Sequence, residues 1–150
     1  MDEPASPASP AWKGRVAVFA AALWWGSLSV TGFLAVPMLF ASLPTPALAG
    51  SVAARLFSAQ GWVAVACGVL LLFLSRSEDG RSGMDWRGGA MLFVLAGLVL
   101  ALLSEFAVAP RIMARENLRL WHGLGTAMYV VHWLCAGVVL WKVTARREDD

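Results

Sequence analysis

Charge is scarce in this chain: only 15% of its 150 residues are Asp, Glu, Lys or Arg. A soluble domain ordinarily carries about 25%, so an ordinary water-facing fold is excluded. The net charge of +2 is small and evenly spread, which excludes nucleic acid as a partner. There are two cysteines, two histidines and a single tyrosine. Cys67 and Cys135 each sit within an apolar run, form no C-x-x-C and belong to no four-ligand zinc pattern. They read as small buried hydrophobes. G-x-S-x-G, a glycine-rich phosphate loop, a Walker lysine and paired catalytic carboxylates are all missing. The expectation is a non-enzymatic protein with no cofactor.

What is present is hydrophobic, at 59% of the sequence. About 20 apolar residues cross a hydrocarbon core roughly 30 Å thick at 1.5 Å per residue, and the chain holds four such runs. The expected architecture is an all-α, four-transmembrane-helix bundle in the lipid bilayer, with spans at 16–40, 56–75, 89–109 and 121–143, within a transmembrane domain at 13–144. Met1 to Pro10 is rich in Pro, Ser and Ala and lacks periodicity, so 1–12 reads as a disordered tail. Residues 145–150 form a charged tail, and Arg76 to Arg87 a polar loop. Ala47-Leu48-Ala49 mimics a signal-peptidase site. The apolar run before it is far longer than the usual 7–15 residues, so the first helix is read as retained. Ala47 to Gln60 reads as an amphipathic start to the second helix.

Orientation follows from basic residues. One face carries Lys13, Arg15, Arg76, Arg81, Arg87, Lys142, Arg146 and Arg147, the other Arg55, Arg111, Arg115 and Arg119. The excess puts both termini in the cytoplasm of a bacterial inner membrane. Trp12, Trp86 and Trp141 then mark the inner interface and Trp121 the outer one.

Between Ala90 and Ala109 the one ionisable side chain is Glu105. A carboxylate within a span is costly and normally faces protein or water. Pro110 removes a backbone N–H and frees the carbonyl of Phe106. The two hairpins echo each other. Phe33-Leu34-Ala35-Val36-Pro37 matches Phe106-Ala107-Val108-Ala109-Pro110, and Arg55-Leu56-Phe57 with Gly61 matches Arg119-Leu120-Trp121 with Gly125. Such a two-hairpin internal repeat is a parallel duplication about the membrane normal. It places Glu105, Arg55, Arg111, Arg119, His122 and the carbonyls of Phe33 and Phe106 in one polar layer near the outer surface. Arg55 or Arg119 there either snorkels to the interface or pairs with Glu105. Small residues at i, i+4 allow close helix approach at Ala64/Gly68, Gly97/Ala101 and Gly123/Ala127.

His122 and His132 are about 15 Å apart along one helix and cannot share a metal. His132 reads as an interior histidine with a hydrogen-bond partner. Met38, Met113 and His122 converge on the outer mouth and offer thioether and imidazole ligands suited to a soft ion such as Cu(I).

Leu23-Trp24-Trp25-Gly26, Pro37-Met38-Leu39-Phe40, Arg55-Leu56-Phe57, Pro110-Arg111-Ile112 and Trp121-His122-Gly123 together resemble an uncharacterised bacterial membrane family. It is domain of unknown function 4149, related to a eukaryotic four-span protein tied to platinum-drug resistance. The resemblance spans about Val16 to Val143 and implies a four-helix integral membrane protein with no established activity. Glu105 departs from the neutral polar residue the resemblance implies there. Copper-resistance D membrane proteins and the four-span haem-dependent protoporphyrinogen oxidases are similar in hairpin architecture. Resemblance to those oxidases implies a haem-ligating histidine in the first helix, and this chain has none before His122. The expected role is that of an accessory subunit or permease-like component, alone, as a homo-oligomer or with other membrane subunits. The alternative is a redox or copper-handling protein.

Overall fold

A computed structural model describes residues 11–75 and 89–145. The polar loop Arg76 to Arg87, with Trp86 and the basic residues at 76, 81 and 87, lies outside the described residues, as do 1–10 and 146–150; of the segments read as tails, Ala11, Trp12 and Ala145 are helical. Those described are helical but for short turns, and no strand occurs among them. Four continuous rods run Trp12–Ser42, Pro46–Leu74, Ala90–Met113 and Leu118–Ala145, each long and apolar enough to cross a bilayer. The protein is therefore an all-α, multi-pass membrane protein. The second rod starts well before residue 56 because Thr45 caps it, its hydroxyl accepting from the Leu48 N–H, with Pro46 in the first turn. A fixed φ and a missing N–H make proline fit that position.

The first rod is built of α1 (Ala11–Val30), a π turn π1 (Thr31–Ala35) and α2 (Val36–Ser42). The second is α3 (Pro46–Leu74), the fourth α6 (Leu118–Ala145). The third has the same order of elements: α4 (Ala90–Leu103), π2 (Ser104–Val108) and α5 (Ala109–Met113). Each π turn lies just before a proline, Pro37 or Pro110. In an α-helix a proline ring strikes the carbonyl four residues back. Here the register widens first, with Val36 N–H bonding to Thr31 O and Ala109 N–H to Ser104 O. The rods thus continue through their prolines, with the irregularity a π turn ahead of the ring. Sequence reasoning placed it at the proline itself.

Three-residue and four-residue links, 43–45 and 114–117, join the rods pairwise at one end of the bundle, called here the turn end. Arg115 and Asn117 take positive φ in the second link. Each rod packs against the rods before and after it, and the fourth closes on the first. The core runs along the shared axis. Trp24, Leu28, Leu71, Val94 and Val139 are fully buried in it, while the outer faces are apolar and exposed, as lipid contact requires.

Glycine is used where rods close up. A Cβ on Gly97 would lie 2.5 Å from Trp24 Cζ2, and one on Gly68 2.6 Å from Leu98 Cδ2. The Gly97/Ala101 and Ala64/Gly68 pairs therefore work inside the bundle. Gly123/Ala127 does not: both residues are exposed and nothing lies within 4 Å of a Cβ on Gly123.

Candidate functional site

The polar groups of the span interior gather around the two π turns. Leu28 on α1 lies three residues before π1 begins. The Tyr129 hydroxyl from α6 donates to its carbonyl oxygen at 2.7 Å. The missing side chain at Gly32 makes room for the Tyr129 ring. Phe57 of α3 stacks edge-on against that ring, 5.2 Å away. Thr31 and Gln60 are buried, and Gln60 Nε2 has no partner among the described residues.

Glu105 lies in π2, half-buried, about 12 Å along the helix from Met113. Its Oε1 accepts a 2.7 Å hydrogen bond from Ser58 Oγ of α3. Of the two alternatives for Arg55 and Arg119, the pairing with Glu105 is not formed among the described residues. Both arginines are exposed. A short hydroxyl from the neighbouring rod reaches the carboxylate where long cations on the surface stay with solvent. Arg111 is committed elsewhere. It donates to Ala107 O at 2.6 Å and lies over the Trp121 ring at 4.6 Å, filling a carbonyl beside Pro110 and stacking as guanidinium does. Beside Glu105 runs a shallow crevice on the lipid face, lined by Gly61, Trp62, Val65, Ala101, Leu102 and Phe106.

Met38, Met113 and His122 sit on α2, α5 and α6, and each is exposed. Among the described residues no cluster of three His, Cys, Asp or Glu is placed to hold a metal ion. His132 is the interior histidine: its Nε2 accepts from the buried Trp24 indole N–H at 3.0 Å. Indole N–H is a donor only, so this imidazole is neutral, with its proton on Nδ1. A second α1–α6 link runs from Trp133 Nε1 to Ser29 Oγ at 2.8 Å. Cys67 and Cys135 are free and buried.

Ser58, Gln60 and Tyr129 were missed as members of this layer. Ser58 and Gln60 lie within the returning helix, and their polarity in an apolar rod was the available signal. Tyr129 is the one tyrosine in the chain, within a span and far from its ends.

A family model described as Domain of unknown function (DUF4149) matches residues 19–120, more than half of the chain. The chain belongs to the DUF4149 family. The match takes in most of the first rod, all of the second and third, both π turns and Glu105, and stops at the start of α6. No curated protein matches, and no solved structure matches.

Proposed function

We propose that this DUF4149 chain is a non-catalytic accessory subunit of the bacterial inner membrane, with both termini in the cytoplasm. The observation that supports this is the filled axis of the bundle. Trp24 reaches from α1 across to Gly97 on α4 and bonds to His132 on α6, with Leu28, Leu71, Val94 and Val139 packed wholly out of reach of solvent. A centre filled by interlocking side chains offers no water-lined route along the axis, which disfavours a permease working through the middle. Contact with other molecules then falls to the apolar outer faces, where lipid and neighbouring helices compete by close packing.

Duplication of an ancestral hairpin is part of the same reading. Burial at Ala17, Ala21, Trp24 and Leu28 recurs at Ala90, Val94, Gly97 and Ala101 with the same separation that relates Pro37 to Pro110. Ala64, Cys67, Gly68 and Leu71 share their spacing with His132, Cys135, Ala136 and Val139, all eight buried. That second alignment sets cysteine on cysteine and lies one helical turn from the Arg55/Arg119 match.

Crosslinking in intact membranes, followed by mild extraction and mass measurement, tests the subunit reading. The expected product is a discrete hetero-assembly of fixed stoichiometry; a lone 16.1 kDa chain in its micelle overturns it. Tags at both termini are expected to resist an impermeant label in intact spheroplasts, and labelling of either end overturns the orientation. Copper bound in stoichiometric amount and lost in His122→Ala would replace this reading with metal handling.

A further inference from the structure

We propose that Glu105 anchors a binding site, entered sideways from the lipid, for a lipophilic organic cation. The carboxyl group lies well inside the third rod, where an isolated negative charge is costly. Ser58 occupies Oε1, while Oε2 has no partner among the described residues and is not sealed from the surface. Toward the turn end of the elements packed against π2, the cationic side chains are Arg55 on α3, Arg111 on α5 and Arg119 on α6, with the titratable His122 beside them on α6; Lys142, His132, Tyr129 and Cys135 lie farther along α6 and Cys67 farther along α3. Arg55, Arg111, Arg119 and His122 are exposed, and none pairs with Glu105 among the described residues. No described side chain therefore supplies Glu105 with a counterion.

The crevice next to it completes the case. Trp62 and Phe106 stand edge-to-face with ring centroids 6.5 Å apart, and both are more than half exposed. Aromatic faces beside a carboxylate attract a positive charge from two directions, by quadrupole and by Coulomb interaction. The small residues Gly61 and Ala101 line the crevice together with Glu105, so a flat or propeller-shaped apolar cation seated there would lie beside the carboxyl group. A metal ion fits poorly, since only one carboxylate and one hydroxyl converge here. A lipid headgroup does not reach this depth without leaving the interface.

The test uses the full chain in detergent and tetraphenylphosphonium as the probe, with binding read by calorimetry and by quenching of Trp fluorescence. Saturable one-to-one binding is expected, weakened at least tenfold in Glu105→Gln and several-fold in Trp62→Leu. Neutral triphenylphosphine oxide, of similar bulk, is expected not to bind at the same site. Equal affinity for wild type and a folded Glu105→Gln, or no saturable binding above a detergent blank, overturns the proposal. Should Glu105→Gln fail to fold, the wild-type comparison decides: phosphine oxide competing as well as the phosphonium overturns it.

Discussion

Replacing Gly97 by alanine adds one methyl group at the most crowded point of the bundle. The new Cβ would stand 2.5 Å from Trp24 Cζ2 and 2.7 Å from Cη2. Trp24 cannot swing aside, because it is wholly buried and its indole N–H is tied to His132 at 3.0 Å. Overpacking of this kind costs about 1–3 kcal/mol, and losing the indole–imidazole bond adds roughly 0.5–1.5 kcal/mol. A destabilisation of about 2–4 kcal/mol is expected. Gly123→Ala is the control, since nothing lies within 4 Å of its Cβ; helix propensity alone makes it neutral or stabilising by about 0.5–1 kcal/mol. Both variants would be unfolded in mixed micelles by increasing dodecyl sulfate, followed by tryptophan emission. A gap of about 3 kcal/mol between two chemically identical substitutions is expected from these terms. Variants agreeing within about 1 kcal/mol, less than overpacking alone costs, would show that Trp24 does not fill the axis beside Gly97.

Tyr129→Phe removes the hydroxyl at Leu28 O and is expected to cost about 1 kcal/mol in the same dodecyl sulfate titration; a wild-type midpoint would count against that hydrogen bond. Gln60→Leu is expected to be neutral or stabilising, because it removes a buried amide nitrogen that lacks a partner; a loss above about 2 kcal/mol, the size of an unmet buried donor, would show the amide to be bonded. Ser58→Ala should lower stability by about 1 kcal/mol, discounted for the half-exposed carboxylate, and Ser58→Thr should restore it. His132→Ala strands the Trp24 N–H and opens a cavity, for an expected loss of about 2–4 kcal/mol; dodecyl sulfate titration reads this directly, and a wild-type midpoint would contradict a neutral histidine accepting from Trp24.

The legible features were those that follow from one-dimensional physics. Four apolar runs are long enough to span a bilayer, and a backbone in lipid must bond within its own segment, so helices were forced. Pro37 and Pro110 announced irregular backbone for the same local reason. Glu105 stood out because a charge within a span needs a cause. Its partner was not legible, since Ser58 against Arg55 or Arg119 is a matter of which face of α3 and α6 meets π2. A periodic pattern cannot fix that face when every side of a helix is apolar.

Lipid as solvent hides the usual contrast between inside and outside, and that sets the boundary between sequence and structure in this protein. Residue types alone determined the membrane, the four rods, the breaks near the prolines and the intramembrane acid. Rotation and order of the rods decided the rest: Trp24 inward and Trp25 beside Trp133, Gly97 in contact while Gly123 is bare, Tyr129 bonded to the Leu28 carbonyl, and the carboxylate left to one serine. Those outcomes depend on which small residue faces which large one across the axis, a relation between distant segments that no single segment records.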